Sequence, residues 1–284
     1  MQSSNPVFAR SEGFNGRSTG NAYGNQSYPA SGVSYPAYGA GGGTPGYPPE
    51  TQYAPTQRMT IDSVVQKTAI SLGLVILAAA GAWVMIGDVT EESLGTAYGL
   101  AMGGALIGLV LAMVNSFKRV VSPPLVIAYA VVEGVFVGAF SKIIAAWVGD
   151  FGIVVQAVLG TFLAFAATLA AYKFFNIQVT DRFRRIFTIA LMGFVGLLLV
   201  NFVLSMFGAD FGLRNMGAMG LVIGVVALVF GVISLILDFD MVERGIAAGL
   251  DERESWRAAF GLTVTLVWVY IELLRILAIL RGQD

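Results

Sequence analysis

From Val64 onward the chain is a succession of long apolar stretches, broken at near-regular intervals by short polar clusters. A helix needs about 20 residues to cross a bilayer, and seven stretches reach that length. They fall at roughly 67–87, 94–116, 124–148, 152–173, 186–208, 217–238 and 256–280. Asp88 to Ser93 divides the first two, Ser122-Pro123-Pro124 opens the third, and Gly149-Asp150 marks a tight turn before the fourth. Thr180 to Arg185 and Ala209 to Asn215 make the next two breaks. None of the stretches alternates as a barrel strand would, and lipid admits only closed barrels or helices. The pattern predicts an all-α integral membrane protein, a seven-transmembrane-helix bundle over residues 61–284.

Residues 1–60 differ in kind. They hold seven of the nine prolines and six of the ten tyrosines among Gly, Ser, Asn and Gln. Such a segment buries too little apolar surface to offset its ordering entropy, so a disordered N-terminal tail is expected. Its Tyr-Pro pairs (Tyr28-Pro29, Tyr35-Pro36, Tyr47-Pro48) suit an adhesive segment, although a plain flexible tail is the simpler reading. No apolar run precedes Val64, so no cleavable signal peptide is expected.

The chain is 56% hydrophobic and 12% charged, which fits a membrane protein and no soluble class. A net charge of -1 offers nothing to nucleic acid. Cysteine and histidine are both absent, which removes disulfides, thiolate nucleophiles, zinc-peptidase motifs and imidazole switches. No enzymatic activity and no cofactor are expected. The seventh span has no lysine for a retinal Schiff base, and no Gly-Leu-Gly-Asp motif of intramembrane aspartyl proteases occurs. Thirteen of the seventeen Lys and Arg residues lie on the side of the tail and of the 2–3, 4–5 and 6–7 connections. The positive-inside rule then places the N-terminus in the cytoplasm and the C-terminus outside. Trp83 and Trp147 suit an outer aromatic belt and Trp256 an inner one.

Glycines spaced by four (Gly99 and Gly103, Gly104 and Gly108, Gly134 and Gly138, Gly220 and Gly224) predict close packing of the second, third and sixth helices. A carboxylate within a span costs about 2.5–3.5 kcal/mol on insertion scales and marks function by default. Glu133, midway along the third span, either lines a hydrated cavity or is a protonated structural residue. Gln156 and Asn201 suit interhelical hydrogen bonds, and Lys142 lies near enough to an interface to snorkel.

The last sixty residues hold the sharpest signal. The sixth run closes with Leu237-Asp238-Phe239-Asp240, and the seventh carries Glu272 amid apolar sequence. Arg275, three residues on, is placed to neutralise Glu272 within one helix. Alternatively Asp238 and Glu272 converge, with Asp240 beside them, either holding a calcium ion transiently or sharing a proton. Convergence has a condition. If both helices ran straight to a turn near Gly249-Leu250-Asp251, the two carboxylates would differ in depth by roughly 15 Å. They meet only if Met241 to Leu250 turns aside, for example along the interface.

At these residues the chain resembles the transmembrane Bax-inhibitor-motif family, and within it the bacterial YccA-like branch of an actinobacterial type. Leu237-Asp238-Phe239-Asp240 is similar to that family's Tyr-Asp-type motif on helix six. Tyr270-Ile271-Glu272 is similar to its Tyr-Leu-Asp-type motif on helix seven, with Glu for the usual Asp. The resemblance covers about residues 60–282 and implies a pH-sensitive calcium leak sensed by Asp238 and Glu272. It also implies a basic latch ending the second helix, matched by Lys118 or Arg119. YccA-like relatives are associated with restraining a membrane-bound ATP-dependent protease, which makes a regulatory membrane protein the alternative role.

Overall fold

The computed structural model describes residues 57–282, except 89, 176, 178 and 210 and the side chains of 91 and 92. Most of the predicted tail, residues 1–56, therefore lies outside the described residues. Among the described residues, seven helices are long and apolar enough to cross a membrane: α1 (Ile61–Ile86), α2 (Glu91–Phe117), α3 (Pro123–Val148), α4 (Gly152–Phe174), α5 (Asp181–Met206), α6 (Ala218–Ala247) and α7 (Ser255–Arg281). This is a multi-pass membrane protein with no strands among those residues.

Local signals set the helix starts. Thr60 with Ser63, and Thr90 with Ser93, form reciprocal capping boxes that satisfy free amides of the first turn. Thr180 caps α5 through the amide of Phe183. Pro123 and Pro124 open α3, where the missing N–H is harmless, and left-handed Gly149 closes it.

The bundle is built around α7. This helix packs against α1, α3, α4 and α6, and 67% of its most apolar window is buried, against 11% for α5. Helix α5 is peripheral and meets α6 mainly through Phe187 and Phe194 on either side of Phe230, at 5.6 and 5.0 Å. The closest backbone approach is between α1 and α3. A Cβ on Gly134 would collide with the carbonyl oxygen of Val75, and one on Gly138 with that of Ala79. The predicted glycine contact of the third helix is present. The second helix packs closely on α3 through Gly104 and Gly108, and Gly224 of the sixth faces Ile276 of α7, whereas Gly99 and Gly103 face open space and Gly220 meets only its own loop at Asn215, which corrects those positions.

Three boundaries differ from the hydropathy pattern. Helix α1 begins at Ile61 and α5 at Asp181, each several residues before its apolar run. Helix α6 continues past Asp238 to Ala247 without turning aside. Charged residues stay helical there because partners meet them. Asp240 is bound by Arg184 and Arg244, Glu243 accepts the hydroxyl proton of Tyr172 at 2.6 Å, and Arg244 donates to the Val179 carbonyl at 2.7 Å. Reversal waits for Gly249, at φ 65, and a short 3-10 turn over Glu252–Glu254 capped by Asp251.

Residues 57–60, expected to belong to the tail, are part of the bundle. Met59 N–H donates to the Leu250 carbonyl at 2.8 Å, and Glu252 N–H to that of Gln57 at 2.7 Å. Lys67 pairs with Glu252 at 2.8 Å, and Ser63 with Ser255 at 2.7 Å. The start of α1 is thus clasped to the α6–α7 connection.

Candidate functional site

Helices α6 and α7 are antiparallel, and three contacts fix their register. Asp238 accepts the hydroxyl proton of Thr265 at 2.7 Å. A Cβ on Gly231 would lie 2.8 Å from Val269, and one on Gly224 would lie 3.7 Å from the Glu272 carboxylate. Gly261 also faces Asp238, where a Cβ would lie 3.7 Å from the carboxylate, an ordinary contact. Asp238 is half-buried. Among the described residues no Lys or Arg lies within ion-pair distance of it, so a hydroxyl is its one polar partner.

Glu272 has entirely different surroundings. It is 3% exposed, and its two oxygens bind Arg214 at 2.6 Å and Arg275 at 2.9 Å. Arg214 comes from the α5–α6 connection, and its backbone carbonyl accepts a bond from Arg275 at 3.3 Å. Two guanidiniums and one carboxylate leave a net positive charge, enclosed where that connection folds over the end of α7.

The structure does not bring Asp238 and Glu272 together, and the expected pair must be corrected. Thr265 is the residue opposite Asp238, and Glu272 stands seven residues further along α7, about 10 Å at 1.5 Å per residue. The cause is the straight run of α6 to Ala247, which keeps both helices in simple antiparallel register. The i, i+3 partnership with Arg275 is present, strengthened by Arg214.

The other candidates scatter. Asp240, two residues beyond Asp238, is 6% exposed and bridges Arg184 of α5 to Arg244. Glu133 is half-buried on α3, hydrogen-bonded to Tyr129, with its carboxylate 2.8 Å from where a Cβ of Gly108 would be. It belongs to the α2–α3 contact and not to the α6–α7 hairpin. Lys118 and Arg119 are exposed, and neither side chain bonds an acidic residue of α6 or α7; only the Arg119 carbonyl is used, by Arg257 at 2.8 Å. The cations that do hold the acidic end of α6 are Arg184 and Arg244. Gln156 accepts from Arg281 at 3.0 Å and joins α4 to α7, while Asn201 caps the amide of Phe211 at 3.1 Å. Lys142 does not snorkel: it is 6% exposed, and its amine donates to the Trp83 carbonyl at 3.2 Å. Among the described residues no group of three or more acidic side chains could cage a metal ion.

A family model described as Bax inhibitor 1 like matches residues 5–282. The chain belongs to that family. Among curated proteins no match was found. Within this Bax inhibitor 1 like chain, Thr265, Arg184, Arg244 and Arg214 are the site residues that sequence reasoning missed. Arg214 left one trace, as one of few cations on the side of the chain otherwise poor in them. Thr265 would have emerged from counting an equal distance, 13 residues, on either side of a turn centred at Asp251-Glu252.

Proposed function

We propose that this protein is a non-enzymatic, passive cation pathway, with calcium as cargo, whose conductance responds to protonation of Asp238. The observation that carries this reading is a half-buried carboxylate inside a membrane helix, partnered by one threonine hydroxyl and no cation. Holding such a group there costs free energy that an apolar residue would not, and oxygen ligands suit calcium. Protonation cancels the charge that attracts a cation and changes the bond to Thr265. The cluster of Arg214, Glu272 and Arg275 serves as a seal at the opposite end, its excess positive charge repelling cations while it is closed. The tail and the basic connections face the cytoplasm of a bacterial cell in this reading, and the seal faces outward.

The test is calcium flux into liposomes holding purified protein, measured from pH 5 to 8. Asp238→Asn should flatten the pH profile. A profile identical to wild type would remove Asp238 from the pathway. A regulatory role, such as restraint of a membrane-bound ATP-dependent protease, is the second reading. Peripheral α5 favours it, because its largely unburied apolar surface could receive a helix of another membrane protein. Absence of calcium flux in wild type, with α5 crosslinking to such a partner, would move the assignment there.

A further inference from the structure

Helices α1 and α4 hardly touch. Between them lies a crevice of about 260 Å³ floored by α3 and α7. Ile76 and Ala79 of α1, Val158 and Phe162 of α4, Val137 of α3 and Val267 of α7 give it an apolar lining. Three hydroxyls border it, and each is already bonded. Ser141 donates to the Val137 carbonyl or pairs with Tyr270 at 2.6 Å, and Thr161 donates to the Ala157 carbonyl at 2.8 Å. Such a surface stays dry, so the crevice is no ion site. Its rim residues Ile76 and Phe162 are 53% and 50% exposed midway along their helices, which opens it sideways to hydrocarbon.

Trp83 closes one end of the wall, and Lys142 sits against it, with its amine 4.7 Å from the ring centroid. Lys142 is almost fully buried, and among the described residues no carboxylate lies within ion-pair distance of its amine. A carbonyl and a ring face solvate an ammonium only in part, and an anion would complete its shell. The length of the crevice is equally informative. Leu72 to Trp83 on its wall spans about 16 Å, and one leaflet of a ~30 Å hydrocarbon core is about 15 Å. At ~30 Å³ for a water-sized group, the volume takes roughly eight or nine methylenes.

We propose that this crevice is a binding site for one acyl chain of an anionic phospholipid, with the lipid phosphate at Lys142. The full chain would be reconstituted in nanodiscs holding a trace of phosphatidylglycerol with a diazirine on its acyl chain, irradiated, and its peptides mapped. Crosslinks are expected to concentrate on 72–83 and 154–162. Ile76→Trp, at the exposed rim, should remove that concentration without lowering the melting temperature, and Val158→Phe should do so from the opposite wall. Wild type should favour the phosphatidylglycerol probe over a phosphatidylcholine probe by about fivefold, and Lys142→Gln should erase the preference. Labelling that both folded crevice variants leave unchanged, or that spreads evenly over the exposed face of α5, is annular lipid only and overturns the proposal. Equal labelling of wild type by the two probes overturns the phosphate assignment.

Discussion

Replacing Glu272 with glutamine separates a titrating residue from an ionic lock. The change keeps the size of the side chain and removes its charge. Arg275, whose side chain is 4% exposed, then loses its carboxylate, and breaking a buried pair by removing one partner costs about 3–5 kcal/mol. Arg214 is 34% exposed, so water takes up much of its charge and its share is about 1 kcal/mol or less. The glutamine carbonyl returns about 1 kcal/mol by bonding one guanidinium. The expected net loss is about 3 kcal/mol, or a fall of about 6–12 °C in melting temperature for a bundle of this size. Thermal unfolding in detergent measures it, and calcium flux across pH 5 to 8 in liposomes completes the comparison. Glu272→Gln should lower stability and raise basal flux, because its seal is broken, while the pH response remains. A melting temperature within about 2 °C of wild type, together with a flattened pH profile, would make Glu272 the titrating group and refute this reasoning.

Asp238→Asn should show the opposite signature, with stability within about 1 kcal/mol of wild type because the amide oxygen still accepts from Thr265, and with the pH response lost; the same two assays test it. Gly134→Ala should destabilise by about 1–3 kcal/mol, since its methyl meets the backbone of α1, whereas Gly103→Ala points into open space and should cost nothing. Equal melting shifts for the two would contradict the close contact. Lys67→Met should loosen the clasp between α1 and the α6–α7 connection, costing about 1 kcal/mol and speeding amide exchange at Met59 and Glu252; unchanged exchange would show the clasp is held by backbone alone. Deleting residues 1–55 should leave folding and flux close to wild type, because the clasp begins at Gln57; a large flux loss in a folded truncation would make the tail part of the gate.

The helices were legible because lipid leaves few alternatives for runs as apolar as Leu221 to Leu237. Their ends were not, since hydropathy marks where lipid stops and not where the helix does. Asp240, Glu243 and Arg244 read as a break, yet Arg184, Tyr172 and the Val179 carbonyl meet them and the helix continues. That one extension decided the site. Glu272 and Arg275 were readable as a local pair, because i, i+3 spacing is a property of one helix. Arg214 and Thr265 depend on how a loop folds back and on the register of two helices, and neither is written in local spacing.

The placement of α7 at the centre has a consequence for assembly. The ribosome makes α7 after the six helices it holds, so these enter the membrane without their common support. Close contacts that can form early are those of α3 with α1, through Gly134 and Gly138, and with α2, through Gly104 and Gly108. Until α7 arrives, Asp238 has no hydroxyl to bind and Lys67 has no clasp to close. The half-made protein holds α1, α2 and α3 together and the later helices loosely, and it becomes one body in a late step that joins the beginning of α1 to the last turn before α7.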